Sequence, residues 1–129
     1  MNDIQATILT LLNSYGDVVE LDWDFDVDNI IKQLSSNDNW VTGPSISAPQ
    51  GLSLTGSDTL DLRVKDKKEG EYNNNLKSCP SLVEFFDKWN SLAKCHAVKM
   101  DAGTFFRPHR DAYKTTQQMR IFIPLNKTE

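Results

Sequence analysis

The sequence predicts an α+β fold in which helices brace one side of a sheet. Two segments, one near the start and one over residues 81–92, place apolar residues at helical spacing. Between and after them lie short stretches in which apolar and polar residues alternate, as they do in half-buried strands. With 129 residues, 39% of them hydrophobic and 25% charged, the chain is expected to form one globular domain, residues 1–129.

The first predicted helix covers residues 3–15, because its apolar and aromatic residues share one helical face. They are Ile4, Ile8, Leu11, Leu12 and Tyr15. Gly16 follows, and glycine suits the left-handed position that often ends a helix. A short strand is expected over residues 18–23.

A second helix is predicted over residues 28–35, capped by Asp26 or Asp28. Its expected buried stripe consists of Ile30, Ile31 and Leu34.

Two neighbouring strands are predicted in the middle of the chain. Residues 40–44, which end in Gly-Pro, are expected to open a loop before them. Residues 51–56 and 60–64 then alternate between apolar and polar side chains. Residues 65–75 are polar, mixed in charge and without a period, which indicates a solvated loop.

A third helix is predicted from Pro80, since proline suits the first turn of a helix. Ser81 and Glu84 have the spacing of a capping box, in which two side chains satisfy free N–H groups. The apolar face of this helix runs to about residue 92, and we interpret its residues as core rather than as a cofactor site. They are Leu82, Phe85, Phe86, Trp89 and Leu92.

The last part of the chain predicts two more strands. In residues 95–100, His96 shares a face with Val98 and Met100, which favours a packed, hydrogen-bonded histidine over a metal ligand. Gly103 permits a sharp turn after this strand. Residues 119–125 form the final strand, and we expect the unfinished sheet edge to be prone to association.

Composition excludes several classes of function. The net charge is −4 and there is no basic block, which argues against nucleic-acid binding. No positively charged leader and no run of about 20 apolar residues are present, so neither a signal peptide nor a membrane span is expected. Cys79 and Cys95 occur without a Cys-x-x-Cys motif, which predicts reduced thiols and a cytoplasmic location.

The candidate site is a His-x-Asp pair, His109 and Asp111, which directly follows Pro108 in the sequence. Residues two apart on extended backbone point to the same face, so the imidazole and the carboxylate can meet one metal ion. They would be two of the three ligands in the facial triad of non-haem Fe(II) oxygenases. The alternative interpretation is a pair that only stabilises the turn. Arg120, at the start of the last strand, is suited to binding a carboxylate.

The segment from Ala102 to Leu125 resembles the aspartyl/asparaginyl β-hydroxylase type of Fe(II)/2-oxoglutarate-dependent dioxygenase, a group that includes free-proline hydroxylases. The resemblance lies in the turn Arg107-Pro108-His109-Arg110-Asp111 and in the strand Met119-Arg120-Ile121-Phe122-Ile123-Pro124-Leu125. It implies a double-stranded β-helix (jelly-roll, cupin-like) core, braced by the N-terminal and central helices.

The resemblance also implies the site. His109 and Asp111 match iron ligands, Arg120 matches the arginine that contacts 2-oxoglutarate, and O2 is the second cosubstrate. The implied substrate is a free amino acid or an aspartyl, asparaginyl or prolyl residue of a peptide. Phe122 departs from the family pattern, which often has a histidine at that position.

The family's distal histidine and its following arginine have no counterpart here, since none of the eighteen residues after Asp111 is histidine. We therefore expect the N-terminal portion of an oxygenase fold with an incomplete core. Two alternatives remain: a non-catalytic remnant or interaction module of the same fold, and an unrelated small α+β interaction domain.

Overall fold

The structure is a computed structural model that describes residues 3–15, 24–43, 47–58, 70–88, 94–106 and 121–125. These residues form an α+β arrangement, as predicted. Its elements are α1 (Asp3–Tyr15), α2 (Val27–Ser35), β1 (Val41–Thr42), β2 (Gln50–Ser53), α3 (Asn74–Lys77), α4 (Pro80–Phe86) and β3 (His96–Lys99). None of the helices in the described ranges is long and apolar enough to cross a membrane.

Helix α2 begins after Asp26, one of the two predicted caps. Its Oδ1 accepts a hydrogen bond from the backbone N–H of Asn29 at 3.2 Å. Ile30 and Leu34 are buried as predicted, but the burial predicted for Ile31 is wrong, because this side chain is 40% exposed. The buried stripe is narrow because Ile30 and Leu34 are one helical turn apart, whereas Ile31 points about 100° away from Ile30.

The described strands form one antiparallel sheet in the order β1-β2-β3. Val41 pairs with Gly51, and Gly51 pairs in turn with Val98. The loop predicted over residues 40–44 is therefore wrong at Val41–Thr42. Trp40 explains this path, because its indole packs against the core and donates a 3.1 Å hydrogen bond to the carbonyl of Leu34.

Strand β2 is more deeply buried than its alternating sequence predicts. Leu52 and Leu54 lie in the core, while Ser53 on the other face is only 4% exposed. Ser53 is covered because the Asn73 amide donates to its carbonyl at 3.0 Å. The second predicted strand, residues 60–64, and the strand at 18–23 lie outside the described residues.

The polar segment 65–75 is not a loop throughout, since α3 begins at Asn74. Asn73 caps this helix through a 3.0 Å hydrogen bond that its Oδ1 accepts from Leu76 N–H. Asn73 and Asn75 are 6% and 2% exposed, so the solvated interpretation is wrong for both.

Helix α4 starts at Pro80, which the sequence placed in its first turn, and ends at Phe86 rather than near residue 92. Its apolar face joins the core, while Trp89 and Leu92 lie outside the described residues. The buried core consists of Ile30, Leu34, Leu52, Leu54, Leu76, Cys79, Leu82, Phe85 and Phe86.

Strand β3 turns Cys95 and Ala97 towards the core, where both are half-buried. His96 faces the opposite side and is exposed, so the prediction of a packed histidine is wrong. The described sheet confirms the α+β class, and the jelly-roll core remains a prediction.

Candidate functional site

The three candidate site residues, His109, Asp111 and Arg120, lie outside the described residues, as does the whole segment 107–120. Their roles as iron ligands and as the 2-oxoglutarate contact therefore remain predictions. The structure does describe the chain on both sides of this segment, and those two flanks define where the motif begins and ends.

The approach to the motif is a tight turn after β3. The sharp turn that the sequence predicted at Gly103 is present, and Gly103 has a φ of +84°, in the left-handed region. The backbone N–H of Thr104 donates to the carbonyl of Asp101 at 2.9 Å, and the Thr104 hydroxyl donates to the same carbonyl at 2.7 Å. A positive φ confined to the third residue is the pattern of a type II turn.

After this turn the chain is attached to the connection between β1 and β2. The backbone N–H of Phe105 donates to the carbonyl of Ser47 at 2.9 Å. Ser47 lies three residues before β2 begins, so the chain reaches the motif at one end of the sheet.

The flank beyond the motif packs against the core. Ile121, Ile123 and Leu125 are half-buried and contact the core residues, whereas Phe122 between them is 82% exposed. The strand predicted over residues 119–125 is wrong at 121–125, which form no regular strand, although their side chains alternate between half-buried and exposed. Arg120 is thus joined directly to a segment with a fixed inward face.

The other histidine is not at the approach to the motif. His96 opens β3 opposite Ser53, and the chain runs on through Lys99 before it turns. A rise of about 3.3 Å per residue puts the α-carbons of His96 and Lys99 roughly 10 Å apart. Within the part of the chain that the structure describes, no three His, Cys, Asp or Glu residues are grouped to hold a metal ion.

Both thiols are poor candidates for catalysis or metal binding. Cys79 and Cys95 are free, as the sequence predicted. Burial raises the pKa of each thiol. Because the thiolate is the form that attacks electrophiles and binds metals, a raised pKa lowers the reactivity of both residues.

An exposed apolar surface beside the approach to the motif was not apparent from the sequence. Met100, Phe105 and Phe106 are 50%, 51% and 53% exposed, and Val98 on β3 is 40% exposed. The apolar run into Gly103 was interpreted as a strand, which would have buried part of it. Exposure could not be found from that pattern, because a buried and an exposed apolar residue look alike in a single sequence.

A second feature not apparent from the sequence is an amide-rich cluster, which we define as Asn37, Asn39, Ser53, Asp58, Asn73 and Asn75. Ser53, Asn73 and Asn75 are its buried members. The amide of Asn75 donates to the carbonyls of Ser53 and Asp58 at 2.9 and 3.0 Å. Its oxygen accepts from Asn37 and Asn39 at 3.2 and 2.8 Å. The Asn75 side chain thus makes four hydrogen bonds, so the cluster has a structural role. The run of three asparagines after the charged segment was its only sequence signal.

Comparison with known proteins returns no family model, no curated protein and no solved structure that matches the chain.

Proposed function

We propose that the chain is an Fe(II)- and 2-oxoglutarate-dependent hydroxylase of a free amino acid or of an aspartyl, asparaginyl or prolyl residue. His109 and Asp111 would hold the iron, and Arg120 would bind a carboxylate of 2-oxoglutarate. The observation that carries the proposal is the His-x-Asp pair between two anchored flanks. One flank is bonded through Phe105 to Ser47, and the other packs through Ile121 against the core.

The donor set fits the metal. An imidazole and a carboxylate are the ligand types that non-haem Fe(II) oxygenases use, and they leave positions open for the cosubstrate and O2. Bound iron would supply the oxidising chemistry that an unactivated C–H bond requires. The protein's own contribution is to hold the two ligands on one face and to orient the substrate.

The side chain of Arg120 is suited to binding a carboxylate of 2-oxoglutarate. A guanidinium presents a planar pair of N–H donors that matches a carboxylate in two parallel hydrogen bonds. Ile121 and Ile123 hold the backbone next to Arg120 against the core. This attachment would limit the movement of the arginine and so favour one orientation of the keto acid.

The proposal also includes the jelly-roll core, a cytoplasmic location and an amino-acid or peptide substrate. The antiparallel pairing of β1, β2 and β3 supports a jelly-roll core, which is built from antiparallel strands. The two free thiols support a reducing, cytoplasmic environment. An acidic net charge of −4 supports an amino-acid or peptide substrate over a nucleic acid or a membrane surface.

The test is succinate formation from 2-oxoglutarate with and without Fe(II). The unmodified protein should form succinate only with Fe(II), and His109→Ala and Asp111→Ala should each reduce the rate at least roughly a hundredfold. Arg120→Ala should raise the 2-oxoglutarate concentration needed for half-maximal rate on the order of tenfold or more. His96→Ala is the matched control, because this exposed histidine lies outside the proposed motif and its loss should leave the rate of succinate formation unchanged. Equal losses in both histidine variants would reject the assignment.

A non-catalytic module of the same fold is the second candidate. It is favoured by the sequence after Asp111, in which none of the residues 112–129 is a histidine. This candidate predicts Fe(II) binding that depends on His109 and Asp111 without any succinate. The turn-stabilising interpretation predicts instead that His109→Ala lowers the free energy of unfolding and leaves metal binding unchanged.

A further inference from the structure

We draw no further inference here: the strongest candidate, the exposed apolar surface of Val98, Met100, Phe105 and Phe106 where β3 ends and the Gly103 turn follows, carries none because nothing in the described residues shows what covers it.

Discussion

The Gln33 side chain in α2 binds Ser81 in α4 through both ends of its carboxamide. Its Oε1 accepts the backbone N–H of Ser81 at 3.2 Å, and its Nε2 donates to the Ser81 hydroxyl at 3.1 Å. Ser81 is the second residue of α4, where a backbone N–H has no partner within the helix. Cys79, the residue at the N-cap, makes no capping hydrogen bond with its side chain. The Gln33 side chain of the neighbouring helix α2 caps α4 instead.

Removal of this external cap should destabilise the fold. We expect Gln33→Ala to lower the free energy of unfolding by about 1–2 kcal/mol, measured by urea denaturation. The matched control is Lys32→Ala, one residue earlier and exposed, which should cost less than about 0.5 kcal/mol. Equal losses in the two variants would show that Gln33 is no cap.

Asn75 should be among the least replaceable polar residues in the described part of the chain. Asn75→Leu leaves the carbonyls of Ser53 and Asp58 without its amide donor and should cost about 3 kcal/mol. The neighbouring Asn74→Ala loses a hydrogen bond to Asp58 on an exposed surface and should cost less than about 1 kcal/mol. Thermal or urea unfolding of both variants decides this, and a smaller loss at Asn75 than at Asn74 contradicts it.

Stability should decrease at alkaline pH because of Tyr72. The pKa of Tyr72 is raised from 10.0 to about 12. Burial is the largest cause, followed by the hydrogen bond to Asp87 and by the negative charge of Asp87. Between these values the unfolded chain releases the phenol proton while the folded chain keeps it, so the free energy of unfolding falls as pH rises. Below pH 10.0 the phenol keeps its proton in both states, so the full contribution of Tyr72 to the free energy of unfolding is present.

Tyr72→Phe tests this dependence, since it removes the titrating group and keeps the ring. The free energy of unfolding of this variant should fall less steeply than that of the unmodified protein between pH 10.0 and about 12. Parallel curves for the two proteins across this range would assign the alkaline loss to other groups.

Gly103 should be needed for its backbone conformation alone. An added Cβ would meet nothing within 4 Å, but φ is +84°. Gly103→Ala should therefore cost about 1–2 kcal/mol of unfolding free energy. Gly103→Asn should cost less, because asparagine tolerates left-handed backbone better than alanine does. The same loss in both variants would show that the left-handed φ is not what limits substitution at this position.

Local patterns in the sequence predicted the helices and much of their burial. The bounds of α1 match the prediction, and Leu82, Phe85 and Phe86 lie in the core because a helix with one apolar face must bury it. The interpretation of Ser81 as part of a capping box was wrong. Helix α4 begins one residue earlier, at Pro80, and Ser81 therefore lies within its first turn.

Features that depend on distant residues could not be predicted. The partner of Ser81 is 48 positions away at Gln33, and the amide of Asn75 reaches Ser53 across 22 positions. Of the candidate site, the Gly103 turn and the alternation after Arg120 were predictable, because both depend on neighbouring residues. The assignment of His109 and Asp111 depends on side chains meeting in space and remains a prediction.

The thiol of Cys79 lies inside the junction between α2 and α4. It is 0% exposed and donates to Gln33 Oε1 at 3.2 Å. An alkylating reagent can reach this sulfur only when the two helices part, so its labelling rate would report how often that local opening occurs. The half-buried Cys95 before β3 offers a second reporter on the sheet. Differential labelling of the two cysteines could therefore show whether the helices and the sheet open together or separately.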